Sequence, residues 1–467
     1  MYIQQLYTKC LSEAAYYVES DGEAAIIDPL RDIDEYIQLA LLRGAKIKYI
    51  FETHFHADFV SGHIDLSKET GAPIIFGPNA STKYKIHSAK DREVFKLGSL
   101  SIEVIHTPGH TLESSCYLLK DENDNPLSIF TGDTLFVGDV GRPDLSGGGL
   151  SSEEMAGIMY DTLQQKILPL PNYVIVYPAH GPGSSCGKNM GPETFSTIGQ
   201  EKEKNYALQN QTKEEFIKNV TKGLAEAPKY FALNAKFNKD GYEELKDIKL
   251  KGLTPLSVQD LKSASDSGVI ILDTRDVNKF TESFIPKSIF IGLDGRFAEW
   301  AAMLLPFDKE IIMVTEPGKE EESLIRLSRV GFSKIIGFLK GGFEEWEKNG
   351  EKVDMIIDVE ADELLMDIPF DPNLTVLDVR KITEFANGHL PNALNVPLEQ
   401  LTDITQVAQF EDEQNLYIHC AGGYRSVIAA SLLKKEGIHN LRNVLGGWSK
   451  IQEQEKVKII KEPSLLN

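Results

Sequence analysis

A repeat in the second half of the chain limits its fold most strongly. Three motifs return after 105 positions: Leu272–Arg275 as Leu377–Arg380, Phe280 as Phe385, and Gly341–Phe343 as Gly446–Trp448. Because three independent matches share one spacing, they indicate two similar α/β domains, each large enough to fold alone. We place these domains at residues 255–352 and 356–460.

From Ala24 to about Gly181 short β-rich segments alternate with helical ones, which is typical of a further, layered α/β domain, and we place this domain at residues 1–240. The β-rich segments are AAIID, KIKYIFET, SLSIEVIHT, SSCYLLK, LSIFTGD and YVIVYPAH. We predict helices over Ile33–Leu42, Ser152–Gln165 and Phe195–Ala225, and a tail with a linker over Ala227–Pro255. Three domains agree with a size of roughly 100–200 residues per domain.

Charge and hydropathy exclude several classes of partner. The formal net charge of −21 argues against binding to nucleic acid or to an anionic membrane surface. No apolar run approaches the ~20 residues of a membrane span, and the N-terminal segment lacks the pattern of a secretory signal. The four cysteines show no metal-type spacing, which indicates reduced thiols. We therefore expect a cytoplasmic enzyme.

Histidines and aspartates follow the ends of several β-rich segments. The densest group is Glu52–His63 (GluThrHisPheHisAlaAspPheValSerGlyHis), and the others are His106–His110, Thr131–Asp133 and Pro178–His180. A lone histidine is usually structural. Several such motifs at strand ends indicate a metal site, because loops at strand ends carry functional side chains on a rigid scaffold.

These motifs resemble the metallo-β-lactamase superfamily over about the first 240 residues, which implies an αββα sandwich. In the glyoxalase II-like hydrolases of that superfamily, a histidine directly after the aspartate of the first motif helps to bind a second metal. Here Phe59 follows Asp58, and phenylalanine cannot bind a metal. The sequence therefore favours one metal ion.

Within the superfamily, the chain is similar to the mononuclear persulfide dioxygenases. The resemblance implies Fe(II) bound by His54, His110 and Asp133, a set that leaves open positions on the ion. Three further polar residues either orient these ligands and bound water or bind a second metal, namely His56, Asp58 and His180.

Two loop residues are candidates for contact with the substrate. Arg142 lies in Val137–Asp144, which resembles the family's GlyArgXAsp loop, and pairs either with a carboxylate or phosphate of the substrate or with Asp144. Cys186 lies in GlyProGlySerSerCysGly and either touches the substrate or carries sulfur, or is a buried, inert thiol.

Cys420 follows a β-rich segment and precedes Gly422, Gly423 and Arg425. Backbone N–H groups in such a loop, with the helix N-terminus after it, stabilise a thiolate and a persulfide. The segment resembles the rhodaneses, which implies that Cys420 carries a sulfane sulfur, with Arg425 in the same site. Four residues separate Cys420 from Arg425 as in rhodaneses, whereas related phosphatases have five.

The middle copy contains no matching cysteine. Alignment of Ile418–Cys420 with Val314–Glu316 places Glu316 opposite Cys420, and a carboxylate cannot carry a sulfane sulfur. We expect an inactive copy that serves as a spacer, a docking surface or a dimer contact. The sequence leaves a homo-oligomer open.

Together these features predict an enzyme that oxidises low-molecular-weight persulfides with dioxygen to sulfite and forms thiosulfate at Cys420, an activity that detoxifies sulfide. Fusion raises the effective concentration of one site at the other. One alternative is a zinc-dependent, glyoxalase II-like thioester hydrolase fused to a sulfurtransferase. Another is a sulfur relay or sensor whose first domain only binds metal. The sequence does not identify the thiol that carries the persulfide.

Overall fold

The computed structural model describes residues 1–145, 149–224, 226–410, 414–455 and 457–462. The chain divides into two compact units. The first unit contains Met1–Asp247 and Leu327–Phe332, and the second contains Ile248–Arg326 and Ser333–Asn467. Among the described residues, no helix has the length and apolar character that a membrane crossing requires.

Two six-stranded sheets form the framework of the first unit. The first sheet contains, in spatial order, β1 (Tyr2–Thr8), β2 (Glu13–Ser20), β3 (Glu23–Ile27), β4 (Lys46–Glu52), β5 (Ile74–Phe76) and β6 (His87–Ser88). The second contains, also in spatial order, β7 (Val94–Leu97), β8 (Leu100–His106), β9 (Ser115–Lys120), β10 (Pro126–Gly132), β11 (Ile175–Pro178) and β12 (Ser196–Thr197). The six predicted β-rich segments all form strands.

The helices of the first unit lie outside the paired sheets. They are α1 (Asp34–Arg43), α2 (His63–Thr70), α3 (Ser152–Thr162), α4 (Ile198–Lys204), α5 (Lys213–Thr221) and α6 (Phe231–Asp240). Phe51 and Tyr117 belong to a buried core that both sheets share. Tyr36 of α1 packs on the outer face of the first sheet, and Phe216 of α5 on that of the second. The predicted αββα sandwich is confirmed.

The single helix predicted over Phe195–Ala225 is wrong. These residues form β12, α4, a 3-10 turn at Tyr206–Leu208 and α5, while Ala225 lies outside the described residues. Helix α4 ends at Asn205, whose backbone is extended and whose side-chain amide donates a hydrogen bond to Asp139 O (3.0 Å). A short amide side chain that bonds the backbone in this way competes with the helix.

The tail and linker predicted over Ala227–Pro255 is also wrong, because α6 and α7 (Leu245–Gly252) occupy much of it. Helix α6 supports the loop that follows β4. The buried side-chain amide of Asn238 donates hydrogen bonds to His56 O and Phe59 O, both at 2.8 Å. Glycines at the ends of both helices give this segment the sequence character of a linker.

The second unit contains two parallel five-stranded sheets with the same strand order. The strands of the first are β13 (Pro255–Leu256), β14 (Ile270–Asp273), β15 (Ile289–Phe290), β16 (Ile311–Val314) and β17 (Ile335–Leu339). Those of the second are β18 (Ile357–Val359), β19 (Leu374–Asp378), β20 (Leu394–Asn395), β21 (Asn415–His419) and β22 (Leu441–Val444). The spatial orders are β13-β17-β16-β14-β15 and β18-β22-β21-β19-β20, so the predicted repeat is a repeat of structure.

Each of these sheets is accompanied by five helices. Those of the first repeat are α8 (Val258–Asp266), α9 (Val277–Glu282), α10 (Phe297–Leu304), α11 (Glu320–Arg329) and α12 (Gly342–Lys348). Those of the second are α13 (Ala361–Asp367), α14 (Ile382–Ala386), α15 (Ile404–Val407), α16 (Tyr424–Lys435) and α17 (Gly447–Ile451). A parallel sheet with crossover helices matches the alternating pattern of the sequence.

Candidate metal centre and cysteine loop

The three predicted metal ligands meet at one edge of the first unit. His54 follows β4, His110 follows β8 and Asp133 follows β10, and their ligand atoms all lie within 4.8 Å of one another. His110 Nε2 is 3.4 Å and His54 Nε2 is 3.9 Å from Asp133 Oδ2. All three side chains are buried, which shields the centre from bulk water.

Contacts behind the two imidazoles fix which nitrogen faces the centre. His110 Nδ1 donates a hydrogen bond to the carbonyl oxygen of Arg142 (2.8 Å), so that Nε2 is the nitrogen that faces the centre. His54 Nδ1 lies 3.0 Å from Thr53 Oγ1, and that hydroxyl donates to Asp28 Oδ2 (2.8 Å). Partners of this kind set the tautomer and ring orientation of a metal-binding histidine.

The charge state of His54 agrees with this role. Burial, together with the neighbouring imidazoles of His56, His110 and His180, lowers the pKa of His54 well below its usual value. The ring is therefore neutral near pH 7, as metal binding requires.

A second group of three lies beside the first. His56, Asp58 and His180 also have ligand atoms within 4.8 Å of one another. His180 Nε2 lies 3.4 Å from Asp58 Oδ2 and 3.5 Å from Asp133 Oδ1, so Asp133 stands between the two groups. His180 Nδ1 donates to the carbonyl oxygen of Ser12 (3.1 Å), which again leaves Nε2 as the free nitrogen.

His56 is held from the side away from the centre. Its Nε2 lies 3.1 Å from Asp28 Oδ1 and 3.7 Å from Glu52 Oε2. Burial acts to lower the pKa of His56, but the carboxylates, led by Asp28, raise it to about 10. Without a bound ion, His56 is thus a buried cation paired with Asp28.

Several buried polar atoms at this place have no hydrogen-bond partner among the described residues. They include both carboxylate oxygens of Asp133, Oδ1 of Asp58, Nε2 of His180 and both ring nitrogens of His56. Buried polar atoms without a partner are rare in folded proteins and mark a place for an ion or ordered water. The donors present, imidazole nitrogen and carboxylate oxygen, fit a divalent transition metal.

Phe59 stands where a further ligand of a two-metal site would be. Its side chain is fully buried, and its ring centroid lies 4.3 Å from that of His56. A phenyl ring offers no donor atom, so the second group has one ligand fewer than the two-metal arrangement requires.

Cys186 lies at the centre and not in a distant core. Its sulfur belongs to a group with Asp133 and His180 whose ligand atoms are within 4.8 Å of one another. Burial, and then the carboxylates of Asp58 and Asp133, raise the pKa of the Cys186 thiol well above its usual value. Cys186 is therefore a protonated thiol near pH 7, and it lies beside the candidate ligands.

Arg142 ties two loops together behind Cys186. The guanidinium Nε and one terminal nitrogen each donate to Asp144 at 2.7 Å, and another terminal nitrogen donates to Ser185 O (3.2 Å). The backbone N–H of Arg142 donates to Cys186 O (3.0 Å). Of the two interpretations of Arg142, the contact with Asp144 is present, and contact with a substrate stays a prediction.

Sequence reasoning did not single out the polar residues behind the metal ligands. Asp28 directly follows β3, Glu52 ends β4, and both are buried. Glu52 Oε1 accepts a hydrogen bond from Ser61 Oγ (2.5 Å) and lies 3.4 Å from His63 Nδ1. The available signal was a carboxylate at the end of an otherwise apolar strand.

Cys420 follows β21 directly, and its sulfur is buried in the loop before α16. The backbone N–H of Gly423 donates to Cys420 Sγ (3.1 Å), and Ser426 Oγ lies 3.6 Å from the same sulfur. The predicted contact between a backbone N–H and the sulfur is therefore present. Such donors stabilise a negatively charged sulfur.

Arg425 points to a carboxylate beside the loop. Two of its terminal nitrogens donate to the two carboxylate oxygens of Glu384 at 2.7 and 2.8 Å. This paired contact, together with the charge of Glu384, raises the pKa of Arg425. A contact between Arg425 and an anion at Cys420 stays a prediction.

Two families of known proteins match the chain. The profile described as Metallo-beta-lactamase superfamily matches residues 8–180, and the profile described as Rhodanese-like domain matches residues 257–349 and 360–454. The crystal structure of a metallo-beta-lactamase from Staphylococcus aureus is 31% identical, with a TM-score of 0.64, and the match covers 73% of this chain and 98% of that one. The chain belongs to the metallo-beta-lactamase superfamily. Its second unit consists of two rhodanese-like domains.

Two curated relatives match the N-terminal part of the chain. A probable hydroxyacylglutathione hydrolase of Schizosaccharomyces pombe is 33% identical over 165 residues, which are 35% of this chain and 60% of that protein. Glyoxylase B2 of Dictyostelium discoideum is 32% identical over 241 residues, which are 46% of this chain and 76% of that protein.

The strand register corrects the alignment of the two rhodanese-like domains. Asp273 pairs with Val314 in the first of them, and Asp378 pairs with His419 in the second. Val314 therefore corresponds to His419, and the residue that corresponds to Cys420 is Thr315. The prediction that Glu316 occupies this position is wrong by one residue, because the loops were aligned without knowledge of the strand pairing.

The corrected alignment still leaves the first rhodanese-like domain without a sulfur carrier. Thr315 has no thiol, and Glu316 pairs with Lys279 through contacts of 2.9 and 3.0 Å. Lys279 corresponds to Glu384, so this ion pair has the reverse polarity of the pair between Glu384 and Arg425. The loop of this domain therefore offers neither the nucleophile nor the cation of its neighbour.

Proposed function

We propose that the metallo-beta-lactamase domain oxidises low-molecular-weight persulfides with dioxygen to sulfite, and that the second rhodanese-like domain forms thiosulfate at Cys420. The observation that carries this proposal is the set of two imidazoles and one carboxylate at His54, His110 and Asp133, with Phe59 packed against His56 of the neighbouring group. A set of this kind is typical of mononuclear Fe(II) oxygenases.

The residues that would hold the iron are His54, His110 and Asp133. Bound Fe(II) would supply open positions where dioxygen and a persulfide anion come together, a redox chemistry that zinc lacks. The protein itself contributes two imidazoles, each held through Nδ1, and a buried carboxylate with no hydrogen-bond partner among the described residues.

The neighbouring residues handle the substrate and its proton. His180 Nε2 has no hydrogen-bond partner among the described residues, and we propose that it accepts the proton that a persulfide loses. Cys186 lines the same space and is proposed to contact the outer sulfur, while Arg142 and Asp144 hold its loop. His56 and Asp58 are proposed to orient the ligands.

The proposed reaction balances in two stages. One persulfide, one dioxygen and one water give the free thiol and sulfurous acid, which ionises to sulfite. A second persulfide transfers its outer sulfur to the Cys420 thiolate, and its own thiolate leaves. Sulfite then attacks the outer sulfur on Cys420, the S–S bond breaks, and thiosulfate leaves with the Cys420 thiolate restored. The N–H of Gly423 stabilises the charge on the cysteine sulfur throughout.

Oxygen uptake by the iron-loaded chain tests the first stage. Protein purified without oxygen is analysed for metal and then assayed with a panel of persulfides in an oxygen electrode, with sulfite as the second readout. We expect bound iron, and an oxygen uptake equal to the sum of sulfite and thiosulfate, because thiosulfate formation at Cys420 consumes sulfite. The zinc-loaded chain is the control and should take up no oxygen. Zinc without iron, together with turnover of thioesters, would overturn the proposal.

A zinc-dependent thioester hydrolase of the glyoxalase II type, fused to a sulfurtransferase, is the second candidate. Asp133 stands between the two groups of ligands, as a residue that bridges two metals would, and two curated relatives carry the names of hydroxyacylglutathione hydrolases or glyoxylases. Hydrolysis of S-lactoylglutathione by the zinc-loaded chain would support this function.

A further inference from the structure

The two rhodanese-like domains touch along the helix that follows Cys420. Tyr424, the first residue of α16, donates a hydrogen bond from its hydroxyl to the carbonyl oxygen of Gly292 (2.7 Å) in the other domain. The backbone N–H of Phe290 donates to Ser431 Oγ (3.0 Å), about two turns further along α16. Ser431 itself is fully buried. The domain without the cysteine thus forms hydrogen bonds with α16 at two positions along the helix.

Tyr424 is next in sequence to a residue that contacts the Cys420 sulfur. It lies between Gly423, whose N–H donates to Cys420 Sγ, and Arg425, which pairs with Glu384. The ring of Tyr424 also meets the edge of the Phe290 ring, with centroids 5.8 Å apart. A fixed Tyr424 therefore limits the movement of the peptide groups that surround the sulfur.

The corresponding contact is absent from the domain that lacks the cysteine. Lys319 occupies the position of Tyr424 there, and its ammonium group pairs with Glu322 (2.8 Å) at an exposed place on the same domain. The bonded tyrosine is therefore a feature of the loop that holds the cysteine and not of the fold in general.

We propose that the first rhodanese-like domain serves as a positioning domain, which holds the Cys420 loop in its sulfur-stabilising conformation through Tyr424 and α16. Tyr424 is the positioning residue and acts through the N–H of Gly423. The proposal deepens the role proposed above for Cys420, since it assigns a task to a domain that has no sulfur carrier.

The test compares the full chain with two variants that remove one contact each, Tyr424→Phe and Ser431→Ala. The matched control is Tyr417→Phe, which removes a hydrogen bond of 2.6 Å between Tyr417 and Asp367 within the cysteine-bearing domain. Alkylation of Cys420 by iodoacetamide is followed by peptide mass spectrometry between pH 6 and 9, and thermal unfolding is recorded for every variant.

We expect Cys420 to react more slowly in both variants at neutral pH, because a weakened contact with the N–H of Gly423 stabilises the thiolate less. The rate should fall by roughly two- to tenfold, which corresponds to the free energy of about one hydrogen bond. The rate profile should move to higher pH, while the control keeps the profile of the unmodified chain. Unchanged or faster alkylation in both variants, or an equal slowing in the control, would overturn the proposal.

Sulfur loading of Cys420 from a persulfide, measured on the same samples, separates this inference from the proposed function. If the unmodified chain takes up no sulfur at Cys420, the transfer step fails. The difference in alkylation between Tyr424→Phe and Tyr417→Phe still decides whether the neighbouring domain positions the loop.

Discussion

Phe59 lies against His56 with ring centroids 4.3 Å apart, and it follows directly after Asp58, whose carboxylate faces His180. The packing of these two rings fills the place of a ligand that a second metal would need. This relationship allows the number of metal ions to be changed by one substitution.

The variant Phe59→His should bind about two metal ions per chain where the unmodified chain binds about one, because it adds an imidazole to a group that already holds two histidines and an aspartate. Metal analysis after dialysis measures the ratio. Phe59→Leu is the control, since it removes the ring without adding a donor. A ratio that stays the same in Phe59→His would show that ring packing does not decide the metal number.

Asp133→Asn should lose metal affinity by at least about 100-fold, because it removes the one carboxylate of the ligand set. The control is His106→Ala. His106 lies near His110 in sequence, but its Nε2 donates to the carbonyl oxygen of Leu112 (2.9 Å). Competition with a chelator measures the affinity of both variants. Equal loss in the two would count against the assigned ligands.

Cys420→Ser should stop the formation of thiosulfate and leave oxygen uptake and sulfite release in place, because the hydroxyl of serine cannot carry a sulfane sulfur at neutral pH. Separation of sulfite and thiosulfate by chromatography measures both products in one reaction. If the variant forms as much thiosulfate as the unmodified chain, the two domains do not act in sequence.

Gly447→Ala should destabilise the cysteine-bearing domain. Gly447 has a φ of +54°, and an added Cβ would overlap the carbonyl oxygen of Cys420. The matched control is Gly437→Ala, which has a φ of +95° and no atom within 4 Å of an added Cβ. The control should lose about 1–2 kcal/mol of unfolding free energy from backbone strain alone. Gly447→Ala should lose at least about 2 kcal/mol more, as measured by denaturant unfolding.

The ion pair of Glu384 with Arg425 should make a contribution to stability that depends on pH. Burial acts to raise the pKa of Glu384, but the hydrogen bonds from Arg425 outweigh it, so the folded pKa lies below the usual value. The contribution is therefore complete above about pH 5 and is lost as the pH falls through the depressed pKa. The difference in unfolding free energy between the unmodified chain and Glu384→Gln should shrink between pH 6 and pH 3. A difference that is constant with pH would contradict this.

The candidate ligands could be placed at strand ends from the sequence because each follows a strand with a clear apolar pattern, whereas their choice as one set came from the resemblance of the motifs. His54, His110 and Asp133 therefore met as expected. The supporting residue Asp28 was missed, because its contact with Thr53 depends on which strands are neighbours, and no local pattern states that. The same cause explains the error at Glu316, since only the pairing of Asp273 with Val314 sets the register of the loop.

Helices α6 and α7 escaped prediction for a different reason. They are short and end at Gly241 and Gly252, and glycines at such positions are typical of a linker sequence. Their stability comes from tertiary contacts, such as the two hydrogen bonds that Asn238 donates to the loop that follows β4. Propensity alone does not reveal contacts of this kind.

Two neighbouring parallel sheets of identical strand order offer a newly made chain two sets of pairing partners, and tandem domains of similar sequence are prone to exchange strands as they fold. Tyr417 in β21 donates its hydroxyl to Asp367 (2.6 Å), while the position that corresponds to Asp367 in the other repeat is Lys262. If β21 took the place of β16, Tyr417 would lose this acceptor and meet an ammonium group. The divergence of the two repeats thus favours correct assembly, and restoring their similarity by mutation should raise the yield of misfolded, aggregated chain.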